Sequence, residues 1–436
     1  MFSKLLVANR GEIAVRIINE CKRMGIKTVA ICSDIDRNAL HMQDADEGYC
    51  IGAAPMKDSY MNIEAIINAA IITGSDAIHP GYGFLSENAE FAKACEQNHI
   101  SFVGSSSDTI RQSGDKATAK QVAVSQYIPI AEGELIDNLN DALLQAKMIG
   151  YPVMLKINDG GGGAGMKPVF SDNELKSAFE MLHTPKNRVL LIEKYVTHAR
   201  HIEIQIIADN YGNIVTLGNR ECSVQLDNKK VVEECPANNL SKDLLSRLYY
   251  ASLKFAKAIN FIGAGTVEFL VDEDENYYFL EMNARIQVEH GITEMITGIN
   301  LIQWQIKIAE GEKFPFVRED IGFSGHALEC RINAQSCGVI DDWNFSNKEA
   351  RFDHSLAKGI AVTPYYDPLL GKLISHGQTR ADAINKMREY LEELQISGVK
   401  TNIELHKKIL NNTSFLNGRY LTNFLKKERL CKGDRK

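Results

Sequence analysis

Short apolar runs alternate with amphipathic stretches from the first residues onward. KLLVAN is such a run, RGEIAVRIINECKRMG has helical spacing and stops at Gly25, and KTVAICSD is a second run. A helix over Asn62 to Thr73, the segment DAIHPGYG, a helix near Asn88 to Asn98 and the run ISFVG continue the pattern. Strand and helix taking turns predicts a parallel, doubly wound α/β sheet across residues 1–113. Ligands of such sheets gather beyond the carboxyl ends of the strands, where Asn9-Arg10-Gly11 and His79-Pro80-Gly81-Tyr82-Gly83 fall.

Past a helical stretch holding Lys116 the pattern changes. A helix from Asn138 to Ile149, a strand PVMLKI, the loop Gly160 to Gly165, extended KPVF, a helix from Asn173 to His183 and a strand VLLIEKYV predict a small α+β unit. Beyond His201, IEIQIIAD and GNIVTLGN read as a hairpin about Asn210-Tyr211-Gly212, with helices Leu244 to Ala258 and Leu301 to Glu310 around the sheet. The C-terminal portion mixes short strands with a helix over Ala381 to Leu394. The expected divisions are residues 1–113, 114–201, 202–331 and 332–436.

GTVEFLV, DEDEN and YYFLEMN read as one further hairpin, in which Glu268 and Glu281 lie equally far from the turn residues Asp274-Glu275. Cross-strand side chains on one face sit about 5 Å apart. At an effective dielectric near 20, two carboxylates there repel by roughly 3 kcal/mol. A cation between them, or a proton on one, removes that cost, and a hard oxygen-seeking ion such as Mg2+ suits the pair. From Glu281 the period of two persists: Glu281, Asn283, Arg285, Gln287 and Glu289 alternate with Met282, Ala284, Ile286 and Val288. Such a strand lines a site and backs onto a core, although an exposed edge strand would give the same alternation. Fully extended at about 3.3 Å per residue, Glu281 and Glu289 would lie roughly 26 Å apart, so the chain must bend for both to serve one site.

Composition narrows the class. With 436 residues, 44% of them apolar, the chain can bury several domain-sized cores. Its net charge is −7 and no Lys/Arg block precedes Lys426, which argues against nucleic acid as a partner. The run from Lys426 to Lys436 reads as a solvated end. Nine cysteines without a CxxC pair read as buried thiols in a reducing compartment. No apolar run reaches the ~18 residues of a membrane span, and MFSKLLVANRGE has too short an apolar stretch for a secretory leader, so the expected location is cytoplasmic.

GGGGAG from Gly160 to Gly165 satisfies GxGxxG in form, but neither a helix nor Gly-Lys-Ser/Thr follows it, against dinucleotide and Walker loops. It reads as a flap whose amides close over phosphates, the plainer alternative being a flexible turn. Lys156 on the entering strand could reach the same phosphates; Lys116 is weaker evidence, since a lone lysine is usually surface decoration. Glu193-Lys194-Tyr195-Val196 ends an apolar strand where backbone groups and an apolar side chain could frame a purine. Flap, lysines, hinge and paired carboxylates together resemble the ATP-grasp superfamily.

The strings ANRGEIAVRI, HPGYGFLSEN, GDK, EMNARIQVEH and GHALECRINA, in that order, resemble biotin carboxylase, and the likeness runs from Lys4 to Leu425. It implies an ATP-grasp lid and central domain between the N-terminal α/β domain and a mixed α+β C-terminal domain. It implies ATP and Mg2+ (or Mn2+) as cofactors, bicarbonate as substrate and biotin as carboxyl acceptor. Lys116, Lys156, Gly161, Gly162, Gly163, Glu193, Lys194, Val196, His201 and Gln225 would serve the nucleotide, and Glu268, Glu281 and Asn283 the metal. Arg285, Gln287 and the Val288 amide would hold bicarbonate, with Glu289 as its base. Lys230 matches as well, Arg331 would face the biotin ureido oxygen, and Tyr82 joins the ligand-contacting set. The resemblance further implies a homodimer, with the biotin carrier protein and the carboxyltransferase as separate chains, since no Met-Lys-Met motif occurs.

Four departures bear on that expectation. Ala164 and Lys167 stand where the family has arginines at the flap, and a lysine does not replace a bidentate arginine. Leu226-Asp227-Asn228-Lys229-Lys230 replaces a more basic stretch, and Gly291 stands where proline is usual. QSCGVIDDWNFSNKEARFDHS after Arg331 is shortened and rewritten. These changes motivate two alternatives: the same chemistry on a different acceptor, or a weakened, non-catalytic paralogue.

Overall fold

The computed structural model describes residues 1–157 and 165–430, so the expected flap residues Gly161, Gly162 and Gly163 lie outside the described residues. Five parallel strands, β1 (Lys4–Val7), β2 (Lys27–Ser33), β3 (Glu47–Gly52), β4 (Ala77–His79) and β5 (Ser101–Phe102), lie in the order β3-β2-β1-β4-β5. This is the expected doubly wound sheet, with β3 added at an edge. That strand, EGYCIG, is exposed or half-buried throughout and so carries no apolar run. Helix α1 (Gly11–Met24) buries Ile13, Ala14, Ile17, Ile18 and Cys21 along one face. It stops at Gly25, whose φ of 74° is left-handed and open to glycine at little cost.

A second, four-stranded antiparallel sheet holds β6 (Gly133–Ile136), β7 (Val153–Ile157), β8 (Met166–Val169) and β9 (Leu190–Lys194) in the order β6-β9-β7-β8. Its apolar face packs on the helices Leu139–Ile149 and Asp172–Leu182 through Val153, Leu155, Leu190 and Ile192.

The third sheet has eight strands. It runs from β14 (Tyr277–Asn283) through β13 (Gly263–Val271), β10 (Arg200–Ala208), β11 (Ile214–Leu226), β12 (Lys229–Cys235) and β15 (His326–Asn333) to the strands Leu369–Gly377 and Arg351–His354. The sheet runs on across two expected divisions: residues 201 and 202 both lie in β10, and 331 and 332 both lie in β15. Hydrogen bonding from β12 to β15 and on to Leu369–Gly377 leaves no break there.

The period-two alternation after Glu281 is strand only as far as Asn283. The chain then bends, and Glu289 stands at the residue before the helix His290–Thr297, without a side-chain capping bond to it. The apolar positions mark the bend, because Met282 and Ala284 enter one core while Ile286 enters another.

The rewritten Asp227-Asn228 pair also has a local explanation. Leu226 pairs with Lys229, so Asp227 and Asn228 are the whole loop of the β11–β12 hairpin, with φ of 49° and 63°. Asp and Asn tolerate those angles, as this tight turn requires. Both are exposed at the hairpin tip. At Gly291 a Cβ would come within 2.5 Å of Ile374 Cδ1, so this packing favours glycine.

Candidate active site

Strand register brings one row of charge across four neighbouring strands. Arg220 on β11 lies opposite Glu203 on β10, Glu203 opposite Glu268 on β13, and Glu268 opposite Glu281 on β14. Three acids in a row require compensation, and it comes from the side. Lys230, on β12, donates to Glu203, to Glu268 at 3.1 Å and to Glu289 at 2.9 Å. His201 Nε2 lies 2.7 Å from the other Glu268 oxygen, and its Nδ1 lies 2.9 Å from Gln225 Nε2. Arg220 is wholly buried and spends all five donors, on Glu203, Gln205, Thr293, Thr266 and Gln287, at 2.6–3.0 Å.

Ionisation follows from this arrangement. Burial alone would push Glu268 up, but Lys230 and His201 outweigh it and hold the carboxyl far below its ordinary range. Burial also opposes the charge on Lys230, and Glu203, Glu268 and Glu289 overcome it, so the ammonium is retained. At Glu281 burial and the neighbouring Glu268 raise the pKa, partly offset by Lys116. The repulsion expected between Glu268 and Glu281 is therefore relieved in two ways, by an ammonium on one acid and by a shift toward protonation on the other.

Asn283 Nδ2 donates to Glu268 at 2.8 Å and reaches Glu281 at 3.5 Å, so its amide hydrogens take the electropositive position between the acids. The two carboxylates supply oxygen donors that fit a hard divalent ion, while Asn283 turns its N–H groups to them and its Oδ1 to Arg285. His201, Glu203 and Glu268 also place potential ligand atoms within 4.8 Å of one another. That grouping already holds Lys230, however, and Glu281 lies outside it.

Beyond the bend, Arg285 donates to Asn283 Oδ1 at 2.7 Å and to Glu87 at 2.8 Å. Gln287 donates to Glu268 and accepts from Arg220. Glu289 joins Lys230 and, at 2.9 Å, Arg331, whose Nε donates to Glu233. Burial would raise the Glu289 pKa, but Lys230, Arg331 and Arg220 hold it well below the usual carboxylate range. Glu233 is pushed up to about 7, by burial first and by Glu289, against the pull of Arg331.

The nucleotide-side residues divide. Lys156 on β7 and Lys120 both pair with the buried Glu193 carboxylate of β9. Lys116 and Lys120 lie one turn apart on the helix Lys116–Ser125, which thus links the two charge clusters: Lys120 meets Glu193, and Lys116 bears on Glu281. Val196 follows β9, half-buried. Lys194 is not gathered in with them, because its ammonium donates to the Gly150 carbonyl at 2.8 Å and its amide to Glu132. Tyr82 is turned onto Glu12. The Val288 carbonyl accepts from Lys372 at 2.7 Å.

Sequence reasoning did not single out Arg220, Glu203, Glu233, Glu87, Lys120 or Lys372. The available signal was an ionic residue inside an otherwise apolar run, as Glu203 is in IEIQIIAD.

The arrangement is that of an ATP-dependent ligase. Residues 115–317 match the family model for the carbamoyl-phosphate synthase L chain ATP-binding domain, and residues 1–110 and 329–427 match the N-terminal and C-terminal domains of biotin carboxylase. The chain belongs to the biotin carboxylase family. It is 46% identical to the biotin carboxylase of Nostoc sp., over 97% of this chain and 98% of that protein. It is 44% identical to the 2-oxoglutarate carboxylase small subunit of Hydrogenobacter thermophilus, over 98% of this chain and 93% of that one. The crystal structure of the latter's biotin carboxylase domain dimer, complexed with MgADP, ADP and bicarbonate, superimposes with a TM-score of 0.96 at 42% identity, covering both chains fully. Biotin carboxylase from Campylobacter jejuni gives 0.94 at 41% identity, covering 98% of this chain and 99% of that one. Among the described residues, no helix is long and apolar enough to cross a membrane.

Proposed function

We infer that this chain is an ATP-dependent ligase that carboxylates biotin with bicarbonate, and that the cluster around Glu289 performs the proton transfer. The observation that carries the site assignment is the Lys230–Glu289–Arg331 contact, which places one ionised carboxylate between two cations. An anion entering there meets Arg285, Gln287 and Arg331, and Glu289, held ionised, accepts the bicarbonate proton as its oxygen attacks the ATP γ-phosphate. The attack expels ADP, and carboxyphosphate breaks down to carbon dioxide and phosphate; the phosphate takes the biotin ureido N–H proton, the nitrogen bonds to carbon dioxide, and Arg331 steadies the ureido oxygen. Glu268, Glu281 and Asn283 would hold Mg2+, which when bound neutralises phosphate charge. Lys156 and Lys116 serve the phosphates, while Glu193, Val196, His201 and Gln225 complete the nucleotide side.

The acceptor is biotin on a separate carrier protein, with a separate carboxyltransferase; the chain works as a homodimer in the cytoplasm. The comparisons give no support to a different acceptor or to a non-catalytic paralogue. The test is bicarbonate-dependent ATP hydrolysis by the purified protein, with and without free biotin. Stimulation by biotin is expected. Turnover indifferent to biotin, or no turnover, would overturn the assignment.

A further inference from the structure

Behind the 286–289 loop lies a buried ion pair to which the proposed reaction gives no role. Lys372, on the strand Leu369–Gly377 and directly across from Arg331, is 0% exposed. Its ammonium lies 3.2 Å from Glu12 of α1 and 2.7 Å from the Val288 carbonyl, and Glu12 in turn accepts from Tyr82. A buried ion pair is often no more stabilising than a well-packed apolar pair, so stability alone does not account for this one.

The loop shows what it does. Every carbonyl from Ile286 to Val288 is gripped by a side chain: Ile286 by Arg285 at 3.2 Å, Gln287 by His290 Nδ1 at 2.8 Å, and Val288 by Lys372. His290 is wholly buried and its pKa is lowered to about 3, chiefly by burial, so the neutral ring donates from Nδ1. A trans peptide is planar, with C=O and N–H pointing opposite ways. Holding the 287 and 288 carbonyls therefore turns the N–H groups of Val288 and Glu289 to the other side of the loop. Among the described residues neither amide donates to a protein acceptor.

We propose that Lys372 is a positioning residue for bicarbonate: clamped by Glu12, it fixes the Val288–Glu289 peptide so that the loop amides and the Glu289 carboxylate meet the anion in a set orientation. The proposal rests on the reading that bicarbonate binds beside Glu289. The double variant Lys372→Met/Glu12→Gln removes both charges together, and Asp353 keeps its own partner, Arg351. Its KM for bicarbonate is expected to rise about tenfold, the worth of one charge-assisted hydrogen bond, with KM for ATP unchanged. Hydrogen exchange in the 285–292 peptide is expected to quicken. A bicarbonate KM equal to wild type overturns the proposal, as does an equal rise in KM for ATP, which would mark general loosening.

Should the double variant not fold, Glu12→Gln alone, which loosens the clamp but keeps the Lys372 bond, is expected to raise the bicarbonate KM by a smaller factor. No change there overturns the proposal too. Wild-type protein lacking bicarbonate-dependent hydrolysis would defeat the functional reading instead. Exchange at 285–292 then judges the anchoring by itself, and unchanged exchange in the variant refutes it.

Discussion

In the eight-stranded sheet one ammonium, Lys230, is shared among three carboxylates, whereas beside the four-stranded sheet one carboxylate, Glu193, is shared between two ammoniums, Lys120 and Lys156. The first region crowds acids, which Arg220, His201 and Arg331 help to balance, and the second crowds ammoniums around one acid. Each resists change in its own sense: burial pushes Glu193 up and the two lysines pull it back down, while burial works against Lys230 and three acids hold its charge. A metal ion suits the first region and a polyphosphate the second, the two parts of Mg–ATP. The helix carrying Lys116 and Lys120 bears on both regions at once.

The contrast can be broken most severely at Glu289. Glu289→Gln leaves Lys230 and Arg331 without their base, and bicarbonate-dependent ATP hydrolysis should fall about a thousandfold, in the range of general-base catalysis. A coupled ADP assay reads this, and activity within tenfold of wild type would remove Glu289 from that role. Next, Glu268→Gln takes one acid from the anion-rich side. The Mg2+ concentration for half-maximal activity should rise by about two orders of magnitude, as loss of a charged ligand to a hard cation implies. An unchanged Mg2+ titration would place the metal elsewhere. The mildest effect is expected from Lys156→Met on the cation-rich side, where Lys120 still neutralises Glu193. KM for ATP should rise about tenfold while KM for bicarbonate holds, the loss of one charged hydrogen bond. A rise in both constants would dissolve the division between the two regions.

Much of the acid-rich half was legible because it is local. Equal distances from a turn fixed the Glu268–Glu281 register, and the observed pairing is the expected one. The N-terminal sheet, β3 apart, was legible for a similar reason, its strands being apolar runs bounded by helices. What stayed hidden depends on a register shift, as between Ile204 and Ile206 in the β10–β11 hairpin, or on contacts distant in sequence. Arg220 and Glu203 acquire meaning only once β11 lies beside β10, and Glu87 reaches Arg285 across 198 positions. The end of β14 was hidden because the residues after Asn283 keep a period of two while their apolar members enter different cores. Asp227-Asn228 reads in the sequence only as a loss of basic residues; its place as a two-residue turn with left-handed angles emerges from the β11–β12 pairing.

Arg220 has a consequence for inheritance. Its five N–H groups meet five acceptors in a space without water access. A lysine there could serve only three of them, and no other coded side chain carries five donors in one plane. The codon for residue 220 is in that sense closed: nearly every missense change would strand several buried oxygens at once, so drift at this position has nowhere to go.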